Sequence, residues 1–465
     1  MDLALGSDAC HALRAPLVLD FAAMQDTLAS DLSPAAHRHL RRNFALGVTN
    51  GVVFAFADAL LDTNLVLSVL VSRLSGSSLL VGLLVPINLG GWYLPQLFLS
   101  GRVQAAARKL PYYRAAMAFR LLAGFGMALA AYKVRNYGLL VAIIFTVISA
   151  SALAGGLTGL VFSEVVGKTI PSRRRGGFLA WRLLLGGIMA LLASFIVRYF
   201  VGGAHGLSFP ANYAALFTFS TSALVISSTA FALVKEPREE ASQPRTGVRQ
   251  QMSRALALAR RDANFGRFLL ARACLMAAEI ASPFYILYAK WGFGLPESLA
   301  GTYLMVSTIA NIGSTYLWGR VSDRTGNRAL LRLVSLLGCL PPLLALALVP
   351  LSTRLAGALN VGVFSLIFAL RGASATGVFI GGMNFMLDVA PPGDRSIYIG
   401  LTNTVVGMAS FTGVLGGVVI DALGYAPLFV LTCALFLGSA LAASRCAEPR
   451  TARTLQAQEQ VRSKV

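Results

Sequence analysis

Apolar runs recur along almost the whole chain, separated by short polar turns. A run of about 20 residues is long enough to cross the hydrocarbon core of a bilayer as a helix. Backbone groups in lipid must satisfy their own hydrogen bonds, so such runs fold as helices. Only 13% of the residues are charged and 56% are hydrophobic, whereas about a quarter of a soluble domain is charged. The sequence therefore predicts an all-α integral membrane protein and excludes a string of soluble domains.

Twelve transmembrane helices are expected, near residues 44–70, 79–99, 115–132, 137–162, 178–201, 211–234, 265–290, 298–318, 329–350, 355–387, 397–420 and 424–444. Residues 236–263 break the apolar pattern with Pro, Gln, Ser, Glu and Arg, and read as a cytoplasmic linker. The linker divides the chain into an extension over 1–42, one six-helix bundle over 43–235, a second over 264–445, and a tail over 446–465. The extension has room for one amphipathic helix lying on the membrane. It lacks the leading basic region of a signal peptide, and Asp20 interrupts its apolar stretch.

The two halves repeat each other. Asn43-Phe44 precedes the first span and Asn264-Phe265 the seventh. Glu164, Pro171, Arg174 and Gly186 correspond to Asp388, Pro392, Arg395 and Gly407, with offsets all near 220 residues. Two pseudo-symmetric six-helix bundles follow, and duplication of this kind is a common plan among secondary transporters.

The net charge of +20 does not imply a nucleic-acid partner. With the spans placed as above, about 30 Lys and Arg residues fall on one side of the membrane and about 6 on the other, as the positive-inside rule requires. Clusters such as Arg41-Arg42, Arg173-Arg174-Arg175 and Arg260-Arg261 then face anionic lipid at the cytoplasmic surface. Both termini are expected in the cytoplasm. The five cysteines and four histidines form no CxxC or zinc-ligand spacing, so no metal site or cofactor is expected. Gly167-Lys168-Thr169 lacks the upstream glycine of a phosphate-binding loop, because Phe162 stands there. No Ser/His, HExxH or paired His/Asp cluster in the spans suggests an enzyme.

The richest local signal is the turn Gly319-Arg320-Val321-Ser322-Asp323-Arg324-Thr325-Gly326-Asn327-Arg328 between the eighth and ninth spans. A shorter copy, Gly101-Arg102-Val103, follows the second span. Gly319 and Gly326 permit a tight turn, Asp323 suits the positive N-terminal end of a neighbouring helix, and Arg324 and Arg328 offer partners to carboxylates such as Glu164. The first copy has Ala105 and Ala106 where Asp323 and Arg324 stand in the second.

With these loops the chain resembles the major facilitator superfamily of secondary transporters over about residues 40–445. Gly319 to Arg328 is similar to the family's G-x-x-x-D-R-x-G-x-R/K loop, and the Glu164/Arg174 and Asp388/Arg395 sets resemble its companion loops. The resemblance implies twelve helices around a central cavity, rocking of the halves, and a monomer in a bacterial inner membrane. It also implies that the loop latches one access state, with Asp323 near Gly176 at the start of the fifth span. The degenerate first copy argues against symmetric gating, and the fifth span lacks the proline arrangement of many proton-coupled drug antiporters.

Ionisable residues deep in the spans are functional candidates by default. Asp58 lies 14 residues beyond Phe44 and Glu279 14 beyond Phe265, about 21 Å along a helix at 1.5 Å per residue. The two acids are 221 positions apart (279 − 58) and so occupy equivalent places in the halves. They are candidates to carry a proton, or alternatively to pair with an arginine and hold helices together. Asp62, one turn beyond Asp58, has the same two readings. Arg272, two turns before Glu279, and Arg371 in the tenth span are candidates for pairing Glu279 or for holding an anionic substrate group. Asn50, Asn88, Asn311, Asn384 and Asn403 read first as contacts between helices. Trp92, Tyr93 and Gln96 are candidates for substrate contact or for packing. The expected function is secondary active transport of a small solute, proton-coupled or otherwise gradient-driven. The alternative is a non-transporting sensor or assembly partner on the same fold.

Overall fold

The structure is a computed structural model that describes residues 37–104, 106–203, 206–238, 248–348, 357–391 and 395–448. Most of the expected extension and tail, and Ala105 of the first loop copy, lie outside the described residues. No strand occurs among the described residues. The first bundle holds α1 (Leu40–Leu60, resuming through Thr63–Leu67 to Ser68–Ser75) and α2 (Ser78–Val85, then Pro86–Gly90 and Gly91–Gln104). It continues with α3 (Leu110–Lys133), α4 (Tyr137–Thr169), α5 (Ser172–Val201) and α6 (Ala211–Ala232). A separate helix, Val248–Arg261, occupies the linker. The second bundle holds α7 (Ala263–Ala277, continuing irregularly to Gly292), α8 (Leu299–Thr325) and α9 (Asn327–Gly338, then Leu340–Leu348). It closes with α10 (Gly357–Val389), α11 (Arg395–Ala409, then Thr412–Leu423) and α12 (Tyr425–Ser444).

Eleven of these helices are long and apolar enough to cross a membrane by length and composition. α8 has the length, 27 residues, but Thr302, Ser307, Thr308, Asn311, Ser314 and Thr315 dilute its apolar surface. It packs against α5 of the other bundle and α10 of its own, which places it as the twelfth member.

Several helices outrun their apolar stretches. α4 ends at Thr169 and α5 begins at Ser172, so the basic segment from Lys168 to Arg175 is two helix ends around a corner, not an extended loop. Hydropathy marks where lipid stops, while the helix continues until its carbonyls find caps. Arg175 supplies those caps, donating from Nη2 to the Gly167 carbonyl at 2.7 Å and from Nε to Ile170 at 3.0 Å.

The two halves use the same joinery at the end that carries the linker. Asn43 exchanges hydrogen bonds with the Lys235 backbone (3.0 and 3.1 Å), and Asn264 does so with Ala447 (2.7 and 3.1 Å). The last carbonyls of α6 accept from Arg42 and Arg114, and those following α12 accept from Arg267 and Arg328. Cations at helix C-termini satisfy orphan carbonyls and oppose the helix dipole. The repeat seen in the sequence is thus a repeat of contacts.

The apolar core divides unevenly along the molecule. Near the linker each bundle has its own core, with Leu110, Tyr113, Val165, Phe178 and Phe231 in the first and Phe265, Phe268, Phe385, Tyr398 and Phe436 in the second. Towards the opposite end one cluster joins both bundles, including Leu65, Val66, Val197, Tyr213, Phe284, Tyr285, Tyr303 and Phe429. α2 and α11 cross there so closely that a Cβ on Gly82 would stand 2.6 Å from the Gly413 carbonyl oxygen. Only glycine fits that crossing.

Candidate functional site

Four helices at the junction between bundles lose regularity at a similar level, about a dozen residues in from the end distant from the linker. α1 breaks at Leu61–Asp62, α2 at Pro86–Gly90, α7 at Ala278–Pro283 and α11 at Ser410–Phe411. Proline explains α2 and α7, since it removes a helical donor and crowds the preceding turn. In α1 the Asp62 carboxylate starts the next segment, accepting from the backbone N–H groups of Asn64 (2.9 Å) and Leu65 (2.8 Å). Interrupted helices at membrane depth are tolerated where they are buried in protein or line a cavity, and they mark binding sites in transporter folds.

The deep charges gather around these breaks. Glu279 lies in the irregular turn of α7, accepts from the Ser282 hydroxyl, and forms an ion pair with Arg371 Nη2 of α10 at 3.0 Å. The Arg371 guanidinium also lies 5.2 Å from the Tyr285 ring centroid and within Coulombic range of Asp62 across the bundle junction. Asp58 is different. It lies deep in the protein mass yet its side chain is exposed, so it lines an internal space. It forms no hydrogen bond or ion pair through its carboxylate with the described residues, although Asp62 and Arg120 are within Coulombic range. The equivalent acids therefore have unequal surroundings: Glu279 is held and Asp58 is not.

Arg272 of α7 donates to the Val378 carbonyl of α10 at 3.2 Å and packs on Gly382. It does not pair Glu279. Two further arginines belong to the interior. Arg182 of α5 binds Asn50 Oδ1 at 3.0 Å and the Gly47 carbonyl, under the rings of Phe162 and Phe178. Arg120 of α3 reaches the Met117 sulfur at 3.9 Å and lies beside Gly155 of α4. Both are ionisable residues within apolar spans, the same signal in the sequence that singles out Asp58. Among the asparagines, Asn50 joins α1 to Tyr113 (3.2 Å) and Ser227 (2.9 Å), as a contact between helices.

At the linker end, the Gly319–Arg328 turn is built around Gly326, whose φ of +86° favours glycine. Arg328 uses its backbone N–H on Glu448 (2.8 Å) and its guanidinium on the Ser444 carbonyl (2.6 Å), not on Glu164. Glu448 has a counterpart in Glu236, which accepts from the backbone of Lys109 and Leu110 at 2.8–2.9 Å. Each carboxylate thus caps the first turn of the third helix of its half. The signal was the Glu-Pro pair repeated at 236–237 and 448–449. Glu164 lies 4.0 Å from Lys109 Nζ, and Asp388 accepts from Asn327 Nδ2 at 2.7 Å, so these acids serve their own bundles. Arg174 is half-buried at the start of α5, and Arg395 opens α11 with its side chain outside the described residues.

Asp323 and Arg324 are exposed and make no side-chain hydrogen bond or ion pair among the described residues. Gly176 is exposed too, with open space around it. α5 and α8 touch in their middles, at Gly187 and Ile312, and again where Gly202 meets Ser298 and Gly301 meets Arg198. They part towards the linker end, so Asp323 does not engage α5 here. At the opposite end Glu297 binds Arg73 (2.9 Å) and Lys290 (2.5 Å), while Trp291 donates to Ser72 at 3.4 Å. The bundles are thus joined on that side, while towards the linker α5 and α8 part and α2 stays against α11.

The sequence profile of the Major Facilitator Superfamily matches residues 48–411. The chain belongs to this superfamily, whose members are membrane transporters and not enzymes. Solved structures of the same fold include a D-xylose-proton symporter, at 14% identity and a TM-score of 0.66, covering 88% of this chain and 99% of that one. Others are the nucleoside transporter NupG, at 14% identity, a TM-score of 0.63 and coverage of 87% and 98%, and an autoinhibited POT family peptide transporter, at 14%, 0.64, and 87% and 97%. These likenesses establish the fold alone. No curated protein sequence matches the chain.

Proposed function

We propose that this superfamily member is a proton-coupled secondary transporter that moves a small solute by alternating access. The observation carrying this reading is the one-sided joining of the bundles, with charged groups at the helix breaks. Rocking the bundles about that level exchanges which end is joined. The basic loops favour a cytoplasmic linker and cytoplasmic termini in an inner membrane, with the end where α5 and α8 part facing inwards. The working unit is a single chain divided near 235 and 264, with lipid as its remaining partner.

Asp58 is assigned as the proton-carrying group and Glu279–Arg371 as a polar hinge beside it. A carboxylate without a close counter-ion can gain and lose a proton without breaking an ion pair, whereas a paired one must give up an existing bond. The same fold in a proton symporter of D-xylose supports the coupling. The test uses full-length protein in sealed vesicles, following substrate-linked proton movement. Asp58→Asn is expected to uncouple proton flux from solute flux, with solute exchange retained. Unchanged coupling removes Asp58 from the mechanism. Glu279→Gln is expected to slow both fluxes together, because it breaks a bond between α7 and α10.

A further inference from the structure

Seven ionisable side chains stand in the middle of the spans: Asp58, Asp62 and Glu279 against Arg120, Arg182, Arg272 and Arg371. Of these, Arg371 and Glu279 are within ion-pair distance of each other. Arg182 is consumed by Asn50, the Gly47 carbonyl and two aromatic rings, and Arg120 lies within Coulombic range of Asp58. Arg182 has neutral partners alone, and Arg120 shares with Arg272 a buried Nε without a hydrogen-bond partner, but Arg120 has Asp58 nearby, so Arg272 is the least compensated of the four. It has no carboxylate within ion-pair distance among the described residues, and its Nε is buried without a hydrogen-bond partner. A buried guanidinium left this way is costly unless something supplies the missing charge and acceptors.

Its surroundings include both bundles. The Tyr93 phenol of α2 is within Coulombic range of Arg272. Tyr93 packs against Gly407 of α11, and Gln96, one turn on, faces Asn403 across 3.5 Å. Guanidinium, phenol and two side-chain amides are the donors that recognise a carboxylate. From this geometry we propose that Arg272, with Tyr93 and the Gln96–Asn403 pair, forms the anchor for a small organic solute bearing one carboxylate. Four interior cations against three anions leave room for one negative charge. An anion held there touches α7 of one bundle and α2 of the other, so its binding energy favours drawing the bundles together at the linker end.

This inference rests on the transporter reading, and its test separates the two. Purified full-length protein is screened by thermal shift with matched pairs of solutes, each a carboxylate and its neutral amide: lactate and lactamide, benzoate and benzamide, gluconate and gluconamide. At least one carboxylate is expected to stabilise the protein where its amide does not. Arg272→Gln should weaken that binding by about tenfold to a hundredfold, and Tyr93→Phe, which keeps the packing, by a smaller factor. Arg272→Lys should retain part of the binding. If amides stabilise as well as carboxylates, or Arg272→Gln binds the carboxylate unchanged, the anion anchor is wrong while transport of a neutral solute stands. If no solute of either kind stabilises the protein the anchor fails, and fixed inter-bundle distances by spin-label measurement in the same samples would then sink the transporter reading as well.

Discussion

The two ends of the molecule are closed by different means. At the linker end each bundle keeps a core of its own and is tied internally by paired asparagine clamps and by Glu236 and Glu448 on the third helix of each half. At the opposite end one apolar cluster belongs to both bundles, and the Arg73–Glu297 ion pair runs between them. The difference teaches where strength is permanent and where it is exchanged. Bonds at the linker end hold each bundle rigid, and between the bundles α2 and α11 stay in contact there through Tyr93–Gly407 and Gln96–Asn403. Bonds at the sealed end must break if the protein is to open there.

Three experiments press on this contrast. The largest effect is expected from a covalent bond across the sealed end. A short bifunctional thiol cross-linker between Ser72→Cys and Trp291→Cys, whose parent side chains meet at 3.4 Å, should bridge the two helices and abolish transport. A direct disulfide could not span them once the indole is removed. The pair Gly176→Cys and Asp323→Cys should cross-link poorly in this state. Equal cross-linking of both pairs would contradict a one-sided joining of the bundles. Next is Gly413→Leu, which drives a side chain into the Gly82 backbone. Overpacking costs about 1–3 kcal/mol, so the population should shift by roughly fivefold to a hundredfold towards opening at that end, read as spin-label distances between α2 and α11. Smallest is Glu297→Gln, which removes its ion pairs to Arg73, 35% exposed, and to Lys290, 15% exposed. A partly solvated pair is worth about 1 kcal/mol or less. The expected result is a severalfold rise in labelling of cysteines beyond the seal, with no change in melting temperature. A large drop in melting temperature would mean that Glu297 supports the fold and not the seal.

Most of the architecture was legible in the sequence, because lipid imposes a long apolar helix wherever the chain crosses. Span positions followed from periodicity, and the correspondence of Asn43 with Asn264 from the offset between the halves. The breaks in α1 and α11 were not legible, since Asp62 and Ser410–Phe411 lack proline and read as ordinary helix. The unequal environments of Asp58 and Glu279 were hidden for a related reason. Arg371 has no counterpart at the equivalent place in the first half, where the sequence has Ser149 and Ala150. A sequence repeat reports shared ancestry of positions; it does not report which partner a side chain finds through space. The engagement of Asp323 was out of reach as well, because it belongs to a state of the molecule and not to the chain.

α8 also bears on how the protein is made. Its run of Thr302, Ser307, Thr308, Asn311, Ser314 and Thr315 makes it a poor candidate for entering a bilayer alone, since insertion follows summed residue hydrophobicity. Such a helix enters a bilayer more favourably together with α7 or α9 than by itself. Substitutions that make α8 greasier should therefore favour its integration while removing its polar side chains.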